Sequence, residues 1–340
     1  MTAKNDNNEQ LIADLIRKFP KASNRTLARA LHAKNPAKYP TIDRARDLVR
    51  YRRGNKGNAH RRRRGNINPD LRRPNGKAGE LPALPESVAQ SWEPFVIDAK
   101  RTLVVSDFHV PYHDLKAIEA AFAFGEQFKP DAILFNGDVF DFYQISRFDR
   151  NPTLPKVSSE LLAGGQLFDH VRARFPKAKL YFKLGNHDER WAKYIFTAAP
   201  LLADIPEILN GWEHPAGIVR NRITVIGDQR PVMLGKLPVF HGHELGKGIS
   251  SPVNPARGAF LRAHHTILVG HSHQTSGHAD TNVWHDETFC WSTGCLCFLS
   301  PDYARINRWN LGFATVTVER DGSFNVNNMR ISKSGQVRAS

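Results

Sequence analysis

The chain has 340 residues, of which 41% are hydrophobic, and it carries a formal net charge of +15. This length can bury a large core, and the sequence has no run of about 18 apolar residues that would span a membrane. The polar start MTAKNDNNEQLIADL lacks the hydrophobic stretch of a signal peptide. We therefore expect a cytoplasmic protein with no membrane partner.

Residues 1–54 predict a small helical unit. Apolar residues recur at helical spacing before Pro20, and Ser23 and Thr41 are suited to cap a second and a third helix. Three short helices with a basic last one resemble a helix-turn-helix unit, although the six-residue connection before the third helix is longer than usual. The third helix carries four candidates for nucleic-acid contact, with a solvated helix face as the alternative: Arg46, Arg50, Arg52 and Arg53.

Residues 55–98 predict a linker that is first basic and then proline-containing. Between Arg44 and Lys77 there are 13 Lys and Arg residues against two Asp residues, so this short stretch holds +11 of the net charge. Such asymmetry favours a polyanionic partner, which we expect to be DNA, with RNA as the alternative. The most basic run adds four contact candidates: Arg61, Arg62, Arg63 and Arg64.

From residue 99 to residue 332, strands alternate with helices, which predicts a layered α/β fold. Asp114 is suited to cap the first helix of this part, and Asp321-Gly322 predicts the turn of a closing hairpin. Residues 333–340 are expected to form a tail. The only cysteines are Cys290, Cys295 and Cys297, whose odd number and spacing favour buried reduced thiols over disulfides or a zinc site.

Polar clusters follow five of the predicted strands. In an α/β sheet, the loops at the carboxyl ends of strands meet at one edge, where ligands bind. Carboxylate, imidazole and amide groups together suit Mn²⁺, Fe²⁺ or Zn²⁺, and they are too many for one ion. A pair of ions activates water and stabilises charge in phosphate ester hydrolysis. The clusters are DFH at 107–109, GDVFD at 137–141, GNHD at 185–188, HGH at 241–243 and GHSH at 270–273.

In this order, the five clusters resemble the calcineurin-like metallophosphoesterase superfamily over residues 99 to about 320. The resemblance implies an αββα sandwich and two divalent ions, for which we expect Mn²⁺, with Fe²⁺ or Zn²⁺ as alternatives. It implies that Asp107, His109 and His273 hold the first ion, that Asp138 bridges both, and that Asn186, His241 and His271 hold the second. His187 would then act as general acid or electrostatic stabiliser, and Asp141 would orient it.

Three positions are open. We favour His241 over His243 as the ligand of the fourth cluster, and Asp188 is interpreted as a helix cap. Ser/Thr protein phosphatases of the superfamily carry an Arg directly after the second cluster, whereas this chain has Phe142, so Arg147 and Arg190 are the candidate phosphate-binding residues.

The sequence therefore favours a DNA-associated phosphodiesterase or nuclease. The alternatives are a phosphatase acting on a protein or small phosphomonoester and a non-catalytic DNA-binding adaptor. The oligomeric state is not predicted.

Overall fold

The computed structural model describes residues 3–53, 92–147, 151, 153–246 and 253–340. The chain divides into two compact units, Met1–Val88 and Ala89–Ser340. Within the described ranges, no helix combines the length and the apolar character needed to cross a membrane.

The first unit contains three helices: α1 (Ala3–Lys18), α2 (Asn24–Lys34) and α3 (Ile42–Arg52). Ser23 and Thr41 cap α2 and α3 by accepting hydrogen bonds from backbone N–H groups, which confirms both predictions. Leu27, Leu31 and Val49 belong to a small core that the three helices share.

The second unit packs two sheets face to face. The strands are β1 (Phe95–Val96), β2 (Arg101–Val105), β3 (Ala132–Asn136), β4 (Lys179–Lys183), β5 (Ile223–Ile226), β6 (Val232–Leu234), β7 (Leu237–Phe240), β8 (Ile267–Val269), β9 (Ser276–Thr281), β10 (Glu287–Ser292), β11 (Leu311–Val318), β12 (Phe324–Ile331) and β13 (Val337–Ala339). The seven-stranded sheet has the order β13-β12-β11-β2-β3-β4-β5, and the six-stranded sheet has the order β1-β6-β7-β8-β10-β9.

The longer helices of this unit are α4 (Leu115–Phe128), α5 (Val157–Arg174), α6 (Arg190–Ala198) and α8 (Pro255–Ala263), with the single turn α7 (Pro206–Leu209) between α6 and α8. Side chains alternate between the faces of a strand, so Val104 and Leu134 pack between the two sheets, whereas Leu103 and Ile133 pack with buried residues of α4 and α5. Helix α8 shares a core with β8 and β10 of the other sheet. The predicted αββα sandwich is confirmed.

Two strands lie outside the predicted limits of the catalytic part. β1, in the segment assigned to the linker, pairs with β6, and β13, in the segment assigned to a tail, pairs with β12. Both are short edge strands. The partner of β1 is distant in sequence and the partner of β13 is rich in polar residues, so local periodicity does not reveal either strand. Asp114 caps α4, and Gly322 adopts a φ of 81° in the β11–β12 turn, as predicted.

Candidate metal centre

The five clusters meet at one edge of the sandwich. β2, β3 and β4 run parallel in one sheet, and β7 and β8 run parallel in the other. Hydrogen bonds join the two sheets at this edge: Asn136 Nδ2 donates to the Phe240 carbonyl at 2.7 Å, and the Asn136 carbonyl lies 2.7 Å from His241 Nδ1. The residues after β2, β3, β4, β7 and β8 are thereby placed around a common point.

Close backbone approach explains the glycines of two clusters. A Cβ atom on Gly137 would lie 2.2 Å from His241 Nδ1, and one on Gly185 would lie 2.3 Å from Asp138 Oδ1. Several of the clustered side chains also come from left-handed backbone, such as Asp138 with a φ of 53° and His271 with a φ of 64°. Non-glycine residues persist in this region only where the surrounding structure enforces it, which is frequent at functional sites.

The residues predicted for the first ion converge. His109 Nε2 lies 3.1 Å from His273 Nε2, and His273 Nε2 lies 3.2 Å from Asp107 Oδ1. These spacings match those of neighbouring ligands about 2.1 Å from a tetrahedral ion, which lie about 3.4 Å apart. Asp107, His109 and His273 therefore fit a divalent cation.

A second group adjoins the first through Asp138. Asp138 Oδ2 lies 3.2 Å from His241 Nε2 and 3.7 Å from His109 Nε2, so its carboxylate faces both sets. Ligand atoms of Asp138, His241 and His271 lie within 4.8 Å of one another. Asn186 Oδ1 is buried without a hydrogen-bond partner within the described residues, which is costly unless the oxygen ligates an ion. The donor set fits two divalent ions.

His187 stands beside this centre and is held by Asp141. Its Nδ1 lies 3.0 Å from Asp141 Oδ1, and its ring packs edge-on against His109 with centroids 4.4 Å apart. Burial lowers the pKa of His187, but the carboxylates of Asp138 and Asp141 outweigh it and raise that pKa above its usual value. The geometry suits a group that donates a proton.

Asp141 does more than the sequence predicted. The same Oδ1 lies 2.9 Å from His109 Nδ1, so one carboxylate orients both a candidate metal ligand and the candidate acid. Burial opposes its ionisation, but the hydrogen bonds from His109 and His187 hold the pKa of Asp141 well below its usual range. A carboxylate on the far nitrogen of a metal-binding imidazole fixes its tautomer and ring orientation.

Two further residues brace the loops. The Asp188 carboxylate accepts from the backbone N–H groups of Asp138, Phe140 and Gly185, so its interpretation as a helix cap is wrong. Glu244 accepts from the N–H groups of His241 and Gly242 and pairs with the buried Lys183 at 2.7 Å. The contacts of Asp188 with Asp138 and Phe140, and of Glu244 with Lys183, join segments far apart in sequence and leave no local signal.

The remaining candidates have different surroundings. Phe142 stands directly after the second cluster, where the Ser/Thr protein phosphatases carry an arginine. It is buried, and its ring stacks on Phe140 with centroids 5.2 Å apart. Arg190 donates to the Asp141 carbonyl at 2.7 Å, and its other terminal nitrogen lies 3.1 Å from His187 Nε2. His243 Nε2 lies 3.3 Å from Glu189 Oε1, and the His243 ring lies beside the rings of His241 and His271, with centroids 5.4 and 6.4 Å away.

The cysteines are buried free thiols, as predicted. Cys297 Sγ lies 3.9 Å from Nδ1 of His273, on the side of the ring opposite the candidate ion, a contact that the cysteine spacing does not predict.

The arginines of the first unit differ in the groups that they contact. Arg46 and Arg50 pair with Asp43 and Asp47 at 3.1 and 3.9 Å. Arg53 instead ties α3 to the turn before α2, donating to the Ala22 carbonyl and to Asn24 Oδ1. Arg52 lies at the exposed end of α3, whereas Arg61, Arg62, Arg63 and Arg64 lie outside the described residues.

Residues 100–293 match the calcineurin-like phosphoesterase family. The fold and the clustered ligands define a metal-dependent hydrolase, and the chain belongs to the calcineurin-like phosphoesterase family. The protein is therefore a metal-dependent phosphoesterase.

Two phage proteins are similar in sequence. The Gene 54 protein of Mycobacterium phage D29 is 28% identical over 186 residues, covering 52% of this chain and 70% of the relative. The Gene 54 protein of Mycobacterium phage L5 is 23% identical over 184 residues, with the same coverage.

Solved structures are similar at lower identity. Vacuolar protein sorting 29 from Cryptosporidium parvum has a TM-score of 0.39 at 12% identity and covers 71% of this chain and 96% of its own. YfcE, a phosphoesterase from E. coli, has a TM-score of 0.36 at 15% identity and covers 70% of this chain and 97% of its own.

Glu160 gives a prediction about pH and stability. Its buried carboxyl accepts from the Phe142 N–H at 2.7 Å, and burial together with the charge of Asp141 raises its pKa from 4.5 to about 8. Between these pH values the unfolded chain releases the proton and the folded chain keeps it. The unfolding free energy should therefore fall as pH rises, by up to about 1.4 kcal/mol per unit.

Glu160→Gln should flatten this decline when urea unfolding is measured at pH 5, 6, 7 and 8. The exposed Glu207 offers the matched control Glu207→Gln, which should keep the wild-type slope. An unchanged slope in Glu160→Gln would show that Glu160 is already ionised in the folded protein.

Proposed function

We propose that this phosphoesterase is a DNA-associated phosphodiesterase. The observation that supports this best is a cleft of about 1270 Å³ beside the metal centre, bordered by Asn186, His187 and His271. Among the described residues that line it, the charged side chains are cationic and include no carboxylate: Arg147, Arg190, Lys193 and Arg262. A cleft lined by one sign of charge attracts a ligand of the other sign along its length, as a phosphodiester backbone requires.

The residues of the centre have separable tasks in this reaction. Bound divalent ions supply Lewis acidity and an activated water. Asp107, His109 and His273 would hold one position, Asn186, His241 and His271 would hold the other, and Asp138 would serve both. His187 donates a proton to the leaving oxygen while Asp141 fixes its ring, and Arg190 holds the Asp141 backbone in place. Arg147 and Arg190 lie in the cleft where they can contact phosphates flanking the cleaved bond.

In this proposal, the basic stretch between Arg44 and Lys77 supplies affinity for DNA and takes no part in the chemical step. Cations that contact phosphates release counterions, so binding should weaken steeply with salt, with a log–log slope of about −0.9 per phosphate on duplex DNA. These contacts are independent of base sequence. Removing them should lower DNA affinity without changing hydrolysis of a small phosphodiester.

The test compares the full chain, a chain starting at Leu81, and the full chain with Arg61, Arg62, Arg63 and Arg64 all changed to Ala. We expect all three to hydrolyse bis-p-nitrophenyl phosphate equally, and the two altered proteins to bind DNA with a weaker salt dependence and to cleave it with a higher KM. Four exposed cations of the second unit provide the charge-matched control, each changed to Ala: Lys116, Lys177, Arg320 and Lys333.

Two outcomes would overturn the proposal. Equal DNA affinity in the full and shortened chains, at two salt concentrations, would show that the basic stretch has another partner. Hydrolysis of p-nitrophenyl phosphate without hydrolysis of its bis ester or of labelled DNA would identify a phosphomonoesterase instead.

A further inference from the structure

Three aromatic rings extend outward from the metal centre on the side of His273. The Trp309 ring lies against the His273 ring, with centroids 4.1 Å apart. Tyr303 follows at 6.4 Å from Trp309, and Tyr112 packs edge-on against Tyr303 at 5.6 Å. Tyr112 belongs to the loop after β2 that carries His109, so the three rings form a continuous wall between two of the ligand loops.

The loop that carries Tyr303 and Trp309 is fixed by hydrogen bonds. Asn307 Nδ2 donates to the carbonyls of Leu299 and Ala304, and its Oδ1 accepts from the Trp309 N–H at 2.9 Å. The Asn310 N–H donates to the His273 carbonyl at 2.8 Å. The aromatic wall is therefore held in register with a candidate metal ligand, as a substrate-binding surface must be.

Tyr303 is open to a ligand at the same time. The residue is 45% exposed, and Ile306 in the same loop is 99% exposed. The Tyr303 ring adjoins Trp309, which lies against the candidate ligand His273, and it also adjoins Tyr112, three residues after His109. A partly exposed ring beside the reacting centre can gain by covering its face with a planar group.

We propose that Tyr303, backed by Trp309, stacks on the base of the nucleotide whose phosphate lies at the metal centre. This rests on the proposed phosphodiesterase function and adds a substrate class to it. A base within a duplex has both faces covered by its neighbours, so the ring selects an unpaired nucleotide, in a single strand or at a frayed end. Stacking accepts any base, so the subsite adds strand selectivity without sequence selectivity.

The test uses two phosphodiesters with the same leaving group, thymidine 5′-(p-nitrophenyl phosphate) and methyl p-nitrophenyl phosphate. Loss of one aromatic–base stack should raise KM for the thymidine substrate in Tyr303→Ala by about 5- to 100-fold. Tyr303→Phe keeps the ring and should stay within about twofold of the wild type. Neither change should alter hydrolysis of the methyl substrate.

Trp284→Ala is the matched control, because Trp284 is 81% exposed in the β9–β10 turn, at the end of β10 opposite the metal centre. It should behave as the wild type on both substrates. An equal loss on both substrates in Tyr303→Ala, or an equal loss in the Phe and Ala variants, would overturn the stacking role.

Inhibition separates this proposal from the proposed function. Thymidine 5′-monophosphate should inhibit more strongly than inorganic phosphate, and Tyr303→Ala should abolish that preference, whichever ester the protein hydrolyses. If only p-nitrophenyl phosphate is hydrolysed, the diesterase function fails while the nucleotide preference still reports on Tyr303. A preference that survives in Tyr303→Ala would overturn the subsite.

Discussion

Replacing Asp138 by Asn should reduce phosphodiester hydrolysis by at least about 10³-fold, because its carboxylate faces both groups of candidate ligands. Oδ2 lies within 4 Å of ring nitrogens of His109 and His241, and Oδ1 accepts from the His187 N–H at 2.8 Å. Asn removes the negative charge that two cations would share. Metal content measured on the purified protein should drop from near two ions per chain to one or fewer.

Removal of the ions by a chelator tests independently whether hydrolysis depends on bound metal. EDTA should abolish hydrolysis, and Mn²⁺ should restore it best and raise the melting temperature of the stripped protein. The exposed Asp280 on β9 offers the control Asp280→Asn, which should keep both ions and full activity. Full activity in an exhaustively stripped sample would rule out a two-metal centre.

Replacing His187 by Asn should lower turnover by about 10²-fold or more while metal content stays near two ions per chain. The imidazole is held by Asp141 beside the centre, where it can protonate a leaving oxygen. A good leaving group such as p-nitrophenolate needs less protonation, so the loss should be smaller on p-nitrophenyl esters than on DNA.

The exposed His214 provides the control His214→Asn, which should leave turnover on both kinds of substrate unchanged. A collapse of metal content in His187→Asn would make His187 a ligand. The geometry allows this outcome, because ligand atoms of His187, His109 and Asp138 also lie within 4.8 Å of one another.

Local sequence was sufficient to predict where the clusters lie in the fold. An apolar run such as AILFN, followed at once by Gly137 and Asp138, encodes both a buried strand and the polar residue at its carboxyl end. The pairing of His187 with Asp141 followed from chemistry that the family resemblance supplied. These features depend on residues that are close in sequence or that share a strand end.

Contacts between distant segments were not predictable in the same way. Asp188 reads locally as a helix cap, yet it accepts hydrogen bonds from a loop about 50 residues earlier. Arg53 reads as one more basic residue of α3, yet it bonds to the turn before α2. Tyr303 lies in an irregular loop whose position depends on Asn307 and on the backbone of His273.

The hydrogen bonds that Asp188 makes to two loops affect how ions enter and leave the metal centre. This carboxylate, 2% exposed, joins the loops after β3 and β4 through three backbone N–H groups, so protein hydrogen bonds help to fix the shape of those loops. A preorganised cage has little conformational entropy to lose when it is filled. We therefore expect one divalent ion to exchange for another without rearrangement of these two loops.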